Sequence, residues 1–334
     1  MNILITGGTG FLGRRLAEKL KSFSQNITVI GRNQEIGKQL ETEGIRFLNL
    51  DLIDRDATIR SCEKQDYIFH CAALSTPWGK YQDFYKANVV ATKNIIQACR
   101  QQKVKRLIYV STPSVYFDFS NRLNISEQDT LAKIPANAYV QTKLLAEAEI
   151  QQAYQQGLPV ISIRPRGIFG CGDTAILPRL IRANHKTGIP LINGGKSLID
   201  MTYVDNVVDA LILCQQAQNK LLGRTFNITN GEPMYLIDLL TLLSQKLETN
   251  FKFKQISYPV ALGIASLMET LSKHILFGRE PILTRYTVGV LACSQTLDIT
   301  AAKIELGYQP QVTIEEGLSI FSQWWKSQNE TSKR

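Results

Sequence analysis

The chain has 334 residues, of which 44% are hydrophobic and 20% charged, and it carries a formal net charge of +9. This composition predicts a globular protein with a large core, and room for a smaller second region beside a main domain. Lysine and arginine are spread along the whole chain, which indicates a solvated basic surface and argues against a nucleic-acid partner.

Cysteine and histidine usage points to a reducing environment. The six cysteines form no C-x-x-C pair, and the three histidines are scattered, so neither a zinc site nor a disulfide framework is expected. No secretory signal is evident, and no segment reaches the roughly 20 apolar residues of a transmembrane helix. We therefore expect a cytoplasmic protein that binds no metal.

The chain opens on a strand, a glycine turn and a helix. Residues 3–5 (ILI) suit a strand buried on both faces, and residues 7–13 (GGTGFLG) follow directly. The spacing fits G-x-G-x-x-G from Gly8 and G-x-x-G-x-x-G from Gly7. Glycines let phosphate oxygens approach the backbone, and a helix starting near Phe11 directs its positive end at an anion. The alternative is a turn that only joins strand to helix.

Apolar strands alternate with helical segments through the first half of the chain. The predicted strands are 27–30, 46–50, 67–71, 107–110 and 160–163, and helical spacing recurs over 89–99 and 144–154. This alternation predicts an α/β fold with a doubly wound parallel sheet of the Rossmann type. We assign residues 1–165, with 199–230 returning, to this domain and 166–334 mainly to a smaller, mostly helical substrate region. Residues 328–334 are expected to be disordered.

The end of the second strand bears on the choice of dinucleotide. An NAD site usually has an acidic residue there, whereas an NADP site needs a cation for the 2′-phosphate. Gly31 occupies the acid's position and Arg32 follows, which favours NADP over NAD unless Arg32 is only a loop cation. After the third strand, Asp51 and Leu52 are placed to meet the adenine, although Asp51 could simply cap the next helix.

Tyr139 and Lys143 are spaced to share one face of a helix. A free phenol has a pKa of about 10, and a nearby cation favours its anion, which suits acid–base work. The Y-x-x-x-K pattern is common by chance on exposed helices. Here, however, it opens the helix that follows the fifth strand, and that strand runs into the hydroxyl-rich residues 110–116 (VSTPSVY).

In these motifs the chain resembles the extended short-chain dehydrogenase/reductase family over nearly its whole length. Residues 7–13 resemble the cofactor loop, and 70–73 (HCAA) the H-x-A-A turn beside the cofactor. Residues 88–94 (NVVATKN) resemble the N-V-x-G-T-x-N helix, with Ala91 where glycine is usual. Residues 164–170 (RPRGIFG) are similar to the R-P-x-x-x-x-G segment that passes the nicotinamide.

The resemblance implies a catalytic triad. Tyr139 would be the general acid or base, and Lys143 would hold the nicotinamide ribose and lower the pKa of the tyrosine. Thr112 would bind the substrate oxygen, and Ser114 is the less favoured candidate. Phe117 stands where the family has glycine after V-Y, which leaves the geometry of this loop open.

A cofactor site follows from the spacing and the resemblance together. The expected contacts are Gly7, Gly10, Phe11, Leu12, Gly13, Arg32, Asp51, Leu52, Ala72, Ala73, Asn88, Ser111, Lys143, Pro165 and Arg166. The resemblance also implies a homodimer through helices of the catalytic region.

Within the family, residues 111–115 and 306–310 (LGYQP) are similar to the branch of 3β-hydroxysteroid dehydrogenases and bacterial β-hydroxy or β-keto acid reductases. Residues 259–277 show an apolar helical face. This face could pack on the protein's own core, line an apolar substrate pocket or make a shallow contact with a membrane.

The sequence therefore favours an NADP-dependent oxidoreductase that moves hydride between the nicotinamide and a secondary alcohol or ketone of an apolar, sterol-like or β-keto acyl substrate. One alternative is a nucleotide-sugar epimerase or dehydratase with retained NAD, for which Arg179, Arg182 and Arg224 could bind a diphosphate. Another is a non-catalytic NADP-sensing protein on the same fold.

Overall fold

The computed structural model describes residues 1–23, 26–276 and 278–331. Its strands are β1 (Asn2–Thr6), β2 (Asn26–Gly31), β3 (Arg46–Asn49), β4 (Tyr67–His70), β5 (Arg106–Val110), β6 (Arg122–Ile125), β7 (Val160–Pro165), β8 (Ile168–Phe169), β9 (Ile189–Ile192), β10 (Leu198–Ile199), β11 (Thr202–Tyr203), β12 (Thr225–Ile228), β13 (Met234–Tyr235), β14 (Phe253–Ile256) and β15 (Gln295–Leu297).

The helices alternate with these strands in the first half and dominate later. They are α1 (Phe11–Ser22), α2 (Gln34–Thr42), α3 (Arg55–Ser61), α4 (Tyr81–Phe84), α5 (Ala91–Gln101), α6 (Ala138–Gln155), α7 (Leu177–Lys186), α8 (Val204–Gln216), α9 (Leu236–Leu247), α10 (Tyr258–His274), α11 (Arg285–Ala292) and α12 (Ile314–Thr331). Short 3₁₀ turns occupy Pro113–Tyr116, Asn193–Gly195 and Asn219–Leu221, and π-helical turns Tyr85–Val90 and Ala302–Leu306.

A seven-stranded parallel sheet in the order β12-β7-β5-β4-β1-β2-β3 forms the centre of the protein. Side chains alternate across a strand, so Ile3 and Ile5 of β1 pack with α1 and α8, while Leu4 packs with α5 and α6. Both faces of the sheet are therefore buried, which explains why its strands are continuous apolar runs in the sequence. The predicted Rossmann-type α/β fold is confirmed.

The strand order reverses between β1 and β4. Ligands of open parallel sheets bind at the carboxyl ends of the strands beside such a reversal, because the two flanking connections leave in opposite directions. The glycine turn after β1 and the segments after β2, β4, β5 and β7 all lie at this edge.

The second half of the chain is split between the sheet and a separate cluster. Within the segment 199–230, α8 packs on α1 and β12 extends the central sheet. Helices α7, α9 and α12 share another apolar core with β9 and β11. The division of the chain at residue 165 stays a prediction. Helix α12 continues to Thr331, whereas the sequence predicted disorder from residue 328; residues 332–334 lie outside the described part.

Helix α10 presents its large apolar side chains to the surface. It packs inward through Ala261 and Ala265 and through Glu269, whose carboxylate accepts hydrogen bonds from the Arg285 backbone and side chain. The larger side chains Val260, Ile264, Leu267 and Leu271 are between 39% and 61% exposed. The core-packing interpretation of this face is therefore wrong.

Among the described helices, none has the length and apolarity that crossing a bilayer requires.

Candidate active site

Backbone segments approach each other closely at the glycine turn. Gly7 has φ +69°, and a Cβ there would lie 2.8 Å from the backbone of Ala72, which follows β4. A Cβ at Gly13 would lie 2.4 Å from the carbonyl oxygen of Gly7, so the first turn of α1 rests directly on the loop. Gly10 caps α1 without a side-chain acceptor, which leaves the first N–H groups of the helix, from Phe11 onward, available to an anion.

Beyond the turn, α1 faces the second region. Phe11 and Leu12 pack against the apolar cluster of α7, α9 and α12. The ring of Phe11 also lies 3.5 Å from where a Cβ of Gly172 would be. The glycine turn and the second apolar cluster therefore share a boundary at these two side chains.

At the end of β2, Gly31 leaves no space for a side chain. A Cβ there would lie 2.2 Å from the hydroxyl oxygen of Thr9, so an acid cannot occupy this position unless Thr9 moves. Arg32 is 71% exposed, and its guanidinium lies 3.8 Å from the Asp51 carboxylate at the end of β3. The other carboxylate oxygen of Asp51 accepts a hydrogen bond from the N–H of Ile53.

Leu52, the other expected adenine contact, is buried in the core, and its carbonyl accepts a hydrogen bond from Asn94. Its side chain packs in the cluster that includes α5 and α6. The structure therefore places Asp51 at the surface and Leu52 beneath it.

A buried imidazole supports the turn after β4. His70 is bound on one side by Thr6, 2.7 Å from Nδ1, and on the other by Thr92, 3.0 Å from Nε2. Burial, with a smaller effect of the Lys143 charge, lowers the pKa of His70 to about 3, so the ring is neutral. Thr6 also accepts a hydrogen bond from the N–H of Ala72, and Ala73 lies exposed beside it. His70 thus positions the turn.

Asn88 joins this turn to the helix that carries Tyr139 and Lys143. It hydrogen-bonds both the N–H and the carbonyl of Leu74, and it donates to the hydroxyl of Thr142. Asn88 lies in the π-helical turn that precedes α5, a distortion often found at functional sites. Asn88 therefore acts within the protein as a brace.

Thr112 lies just past the end of β5 and caps the following 3₁₀ turn by accepting from the N–H of Ser114. Burial raises the pKa of Tyr139 above its ordinary value, and the nearby hydroxyl of Thr112 opposes this only partly. The phenol is therefore protonated at neutral pH.

Lys143, one helical turn after Tyr139 in α6, is buried. Its ammonium donates to the Tyr109 hydroxyl at 2.7 Å and to the Val110 carbonyl at 2.8 Å. Burial lowers the pKa of Lys143 to about 8, although the charge of Glu147 opposes the shift. The resemblance implied that Lys143 lowers the pKa of Tyr139; in the protein alone, burial of the phenol outweighs any such effect.

Ser111 turns away from Thr112 and donates to the Glu147 carboxylate. Glu147 forms a buried ion pair with Arg164, at 2.6 Å, and Arg164 also donates to the Tyr116 hydroxyl. The side chains of Ser111 and Arg164 are thus engaged behind the site. Pro165 ends β7 and is buried.

Sequence reasoning missed Tyr286 of α11. Its hydroxyl lies 2.8 Å from that of Ser114, which is itself 3.1 Å from Thr112. Its ring meets Phe117 edge-on at 5.7 Å. The sequence signal that could have pointed to Tyr286 was Phe117, which replaces the family's glycine, because an aromatic ring at this position needs a packing partner. A row of hydroxyls therefore runs from Tyr139 through Thr112 and Ser114 to Tyr286.

Arg166, expected beside the cofactor, is buried at the start of the second region. Its guanidinium donates to the side-chain oxygen of Gln295 in β15. Thr202 donates to its backbone carbonyl.

Residues 3–229 match the NAD dependent epimerase/dehydratase family. A 2-alkyl-3-oxoalkanoate reductase of Stenotrophomonas maltophilia is 32% identical over 95% of this chain and 97% of its own. A decarboxylating sterol-4α-carboxylate 3-dehydrogenase of Candida albicans is 32% identical over 97% of both chains. A UDP-glucuronic acid 4-epimerase of Bacillus cereus, solved with NAD, superposes with TM-score 0.79 at 21% identity over 98% of this chain and 97% of its own.

The chain belongs to the NAD-dependent epimerase/dehydratase family. Within it, the protein is a short-chain dehydrogenase/reductase of the 3β-hydroxysteroid dehydrogenase-like branch, an NAD(P)-dependent oxidoreductase acting on CH–OH groups. The solved epimerase supports the fold alone.

The buried ammonium of Lys143 gives a pH prediction. Because its pKa is about 8, the group loses its proton as pH rises through this value, and kcat/KM for ketone reduction should fall above pH 8. A kcat/KM profile from pH 6 to 10 measures this. Lys93 is paired with Glu149 on the helix surface and has a raised pKa, so Lys93→Met should leave the profile unchanged. A flat profile up to pH 10 would contradict the role of Lys143.

Proposed function

We propose that the protein is an NADP-dependent oxidoreductase that interconverts a ketone and a secondary alcohol on an apolar substrate. The observation that carries this proposal is that Thr112 lies near Tyr139 at the carboxyl edge of the sheet, while Lys143, one helical turn after Tyr139, is buried and donates to the carbonyl of Val110. A non-catalytic dinucleotide sensor would not need such a pair.

The chemistry divides simply between cofactor and protein. A bound nicotinamide supplies the hydride to the carbonyl carbon or accepts it from the alcohol carbon. Tyr139 gives its phenolic proton to the carbonyl oxygen in reduction and takes it back in oxidation. Thr112 holds the same oxygen by a hydrogen bond as charge develops on it. The charge of Lys143 favours the tyrosinate left by proton transfer.

The glycine turn fits a dinucleotide. Side chains at Gly7 and Gly13 would collide with backbone, so this loop keeps its N–H groups open to a pyrophosphate. For the 2′-phosphate we propose Arg32, which is exposed at the end of β2 where Thr9 leaves no space for an acid. Asp51, beside Arg32, and the turn at Ala72 and Ala73 complete the proposed cradle.

Phe11, Leu12, Asn88, Ser111, Lys143, Pro165 and Arg166 were expected contacts of the same cofactor. Asn88 and Ser111 use their side chains within the protein, so we propose at most backbone contacts there. The other members keep their proposed roles, with Arg166 considered separately below.

The substrate class follows the relatives' names. The two relatives are named for a 2-alkyl-3-oxoalkanoate and for a sterol-4-carboxylate acted on at carbon 3. Both are apolar molecules with a carboxylate on the carbon next to the one that bears the reacting oxygen. We propose that this chain acts on a substrate of that kind.

The nucleotide-sugar alternative finds less support among the cations named for it. Arg179 is paired with Glu280 at 2.8 Å. Arg224 is paired with Glu305, and it precedes β12, at the edge of the sheet opposite the ligand edge. Of the three arginines, only Arg182 in α7 is left to meet a diphosphate at the substrate side.

Tyr139→Phe tests the chemistry. Because general acid–base catalysis contributes about 10²- to 10⁴-fold, NADPH oxidation with a panel of 3-oxo esters and 3-oxosteroids should fall by at least that factor. Binding of NADPH, measured by its fluorescence, should change little. Tyr154→Phe is the matched control on the same helix. Undiminished turnover in Tyr139→Phe would overturn the proposal, as would a wild-type protein that is stabilised against heat by UDP-sugars and reduces no ketone.

Arg32→Ala tests the choice of dinucleotide. Losing a charge-assisted contact to the 2′-phosphate should weaken NADPH binding by roughly 10- to 100-fold and leave NADH binding within about threefold. Titration of cofactor fluorescence measures both. Arg46→Ala removes another exposed arginine, at the opposite end of β3, and should change neither. Equal losses for both cofactors, or no loss, would contradict the assignment.

We also propose that the exposed face of α10 rests on a lipid surface. Its apolar side chains, together with Ile275 and Ile282, are open to solvent, and Lys273 and Arg279 are exposed nearby. Apolar side chains flanked by cations are typical of helices that lie in the membrane interface. An apolar substrate would be concentrated at the same surface.

The double variant Ile264→Ser, Leu267→Ser tests this contact. Removing two apolar side chains should lower flotation with vesicles of phosphatidylcholine and phosphatidylglycerol by at least about tenfold. The control variant Leu123→Ser, Ile304→Ser changes two side chains on other elements that are on average even more exposed, and it should float like the wild type. A wild type that stays unbound, or variants that float alike, would refute the contact.

A further inference from the structure

Arg166 is a buried cation that the protein does not neutralise. It is only 8% exposed, yet it forms no ion pair with any carboxylate of the described residues. Its partner in the protein is the neutral side-chain oxygen of Gln295. Burial lowers the pKa of Arg166, with Tyr286 and Asp200 as the groups that oppose the shift. A charge removed from water in this way is costly unless an anion meets it.

Gln295 adds a second uncompensated donor. The residue is 1% exposed, and its side-chain nitrogen has no hydrogen-bond acceptor in the described part of the chain. Buried amide groups normally find partners. We call Arg166 and Gln295 the donor pair. Their side chains therefore offer more hydrogen-bond donors than the surrounding residues offer acceptors.

The nearest acid, Asp200, does not fill this need. One of its carboxylate oxygens accepts a hydrogen bond from the N–H of Leu297 at 2.7 Å. Burial raises the pKa of Asp200 to about 6, and Arg166 affects this pKa only through its charge. Asp200 therefore offsets part of the charge without supplying the missing acceptors.

The donor pair lies at the same edge of the sheet as Thr112. Arg166 directly follows Pro165, the last residue of β7, and β7 pairs with β5, which ends two residues before Thr112. Burial raises the pKa of the Tyr286 phenol and the charge of Arg166 opposes this, so the two groups interact. Because the Tyr286 hydroxyl is also hydrogen-bonded to Ser114, next to Thr112, Tyr286 links the donor pair to the site proposed for the carbonyl oxygen. A group bound by Arg166 would belong to the same molecule as the oxygen held by Thr112, and would be attached close to it.

We propose that Arg166, assisted by Gln295, binds a carboxylate on the carbon next to the reacting carbon, so that the enzyme selects β-oxo and β-hydroxy acids over neutral ketones. The inference rests on the proposed function and names the substrate feature that the site recognises. A guanidinium presents two parallel N–H groups to a carboxylate, which a lysine cannot do. Arg166 is then a specificity residue, and the cofactor contact expected from the sequence is the competing assignment.

A pair of substrates that differ in charge tests this. Because β-oxo acids lose CO₂, oxidation of a 2-alkyl-3-hydroxyalkanoate by NADP⁺ is compared with that of its methyl ester. The wild type should prefer the acid. Arg166→Met should lower kcat/KM for the acid by roughly 10- to 100-fold, chiefly through KM, and leave the ester within about threefold. The kcat/KM of Arg166→Lys for the acid should lie between the values of the wild type and Arg166→Met, and Arg46→Met should match the wild type.

Three results would overturn the inference: equal use of acid and ester by the wild type, equal losses for both in Arg166→Met, or a matching loss of NADP⁺ affinity, which would place Arg166 at the cofactor. The first leaves the proposed function intact. If the wild type oxidises neither compound, the proposed function fails, and the inference is decided by binding. With NADP⁺ present, the acid should then raise the melting temperature of the wild type, and the ester should not. The acid should leave the melting temperature of Arg166→Met unchanged. If this difference is absent, the inference is refuted.

Discussion

The approach of two backbones at the reversal of the strand order governs the geometry of this protein. Gly7 after β1 and Ala72 after β4 lie so close that a Cβ at Gly7 would come within 2.8 Å of the neighbouring main chain. The first turn of α1 can therefore sit at the edge of the sheet with its N–H groups open. His70 keeps the other side of the contact in place, because its two ring nitrogens are bound by Thr6 and Thr92. The glycine turn and the β4 turn are in this way one structural unit.

The residues proposed for catalysis depend on this unit through Asn88. Its amide spans from the turn after β4 to Thr142, one residue before Lys143, and so fixes the rotation of α6. Lys143 then reaches the end of β5 through Val110, two residues before Thr112. Side chains from three elements thus meet with little freedom, which is what transfer of a proton between fixed oxygens requires.

Local patterns accounted for much of this arrangement. The parallel sheet followed from apolar runs separated by helical spacing, whereas the choice of Thr112 as the partner of Tyr139 was implied by the resemblance to the family and stays a prediction. Tyr286 and Gln295 could not be found from local patterns, since Tyr286 lies 172 residues from Ser114 along the chain and Gln295 lies 129 residues from Arg166. The period of α10 revealed an apolar face but not its surroundings. Small residues, Ala261 and Ala265, form its inner contact, and the larger side chains point outward.

Arg164 and Arg166 show how differently two neighbouring buried arginines can be used. Burial acts against the charge of Arg164, but Glu147 and Tyr116 outweigh it and raise its pKa, so this cation ties β7 to α6. Arg166 is bonded to a neutral amide, and the charges of Tyr286 and Asp200 do not outweigh its burial, so its pKa is lowered instead. Replacing such a cation by an apolar side chain is often neutral or stabilising, so its retention is not explained by stability. A ligand that brings its own negative charge explains why the fold keeps one arginine paired and the other unpaired.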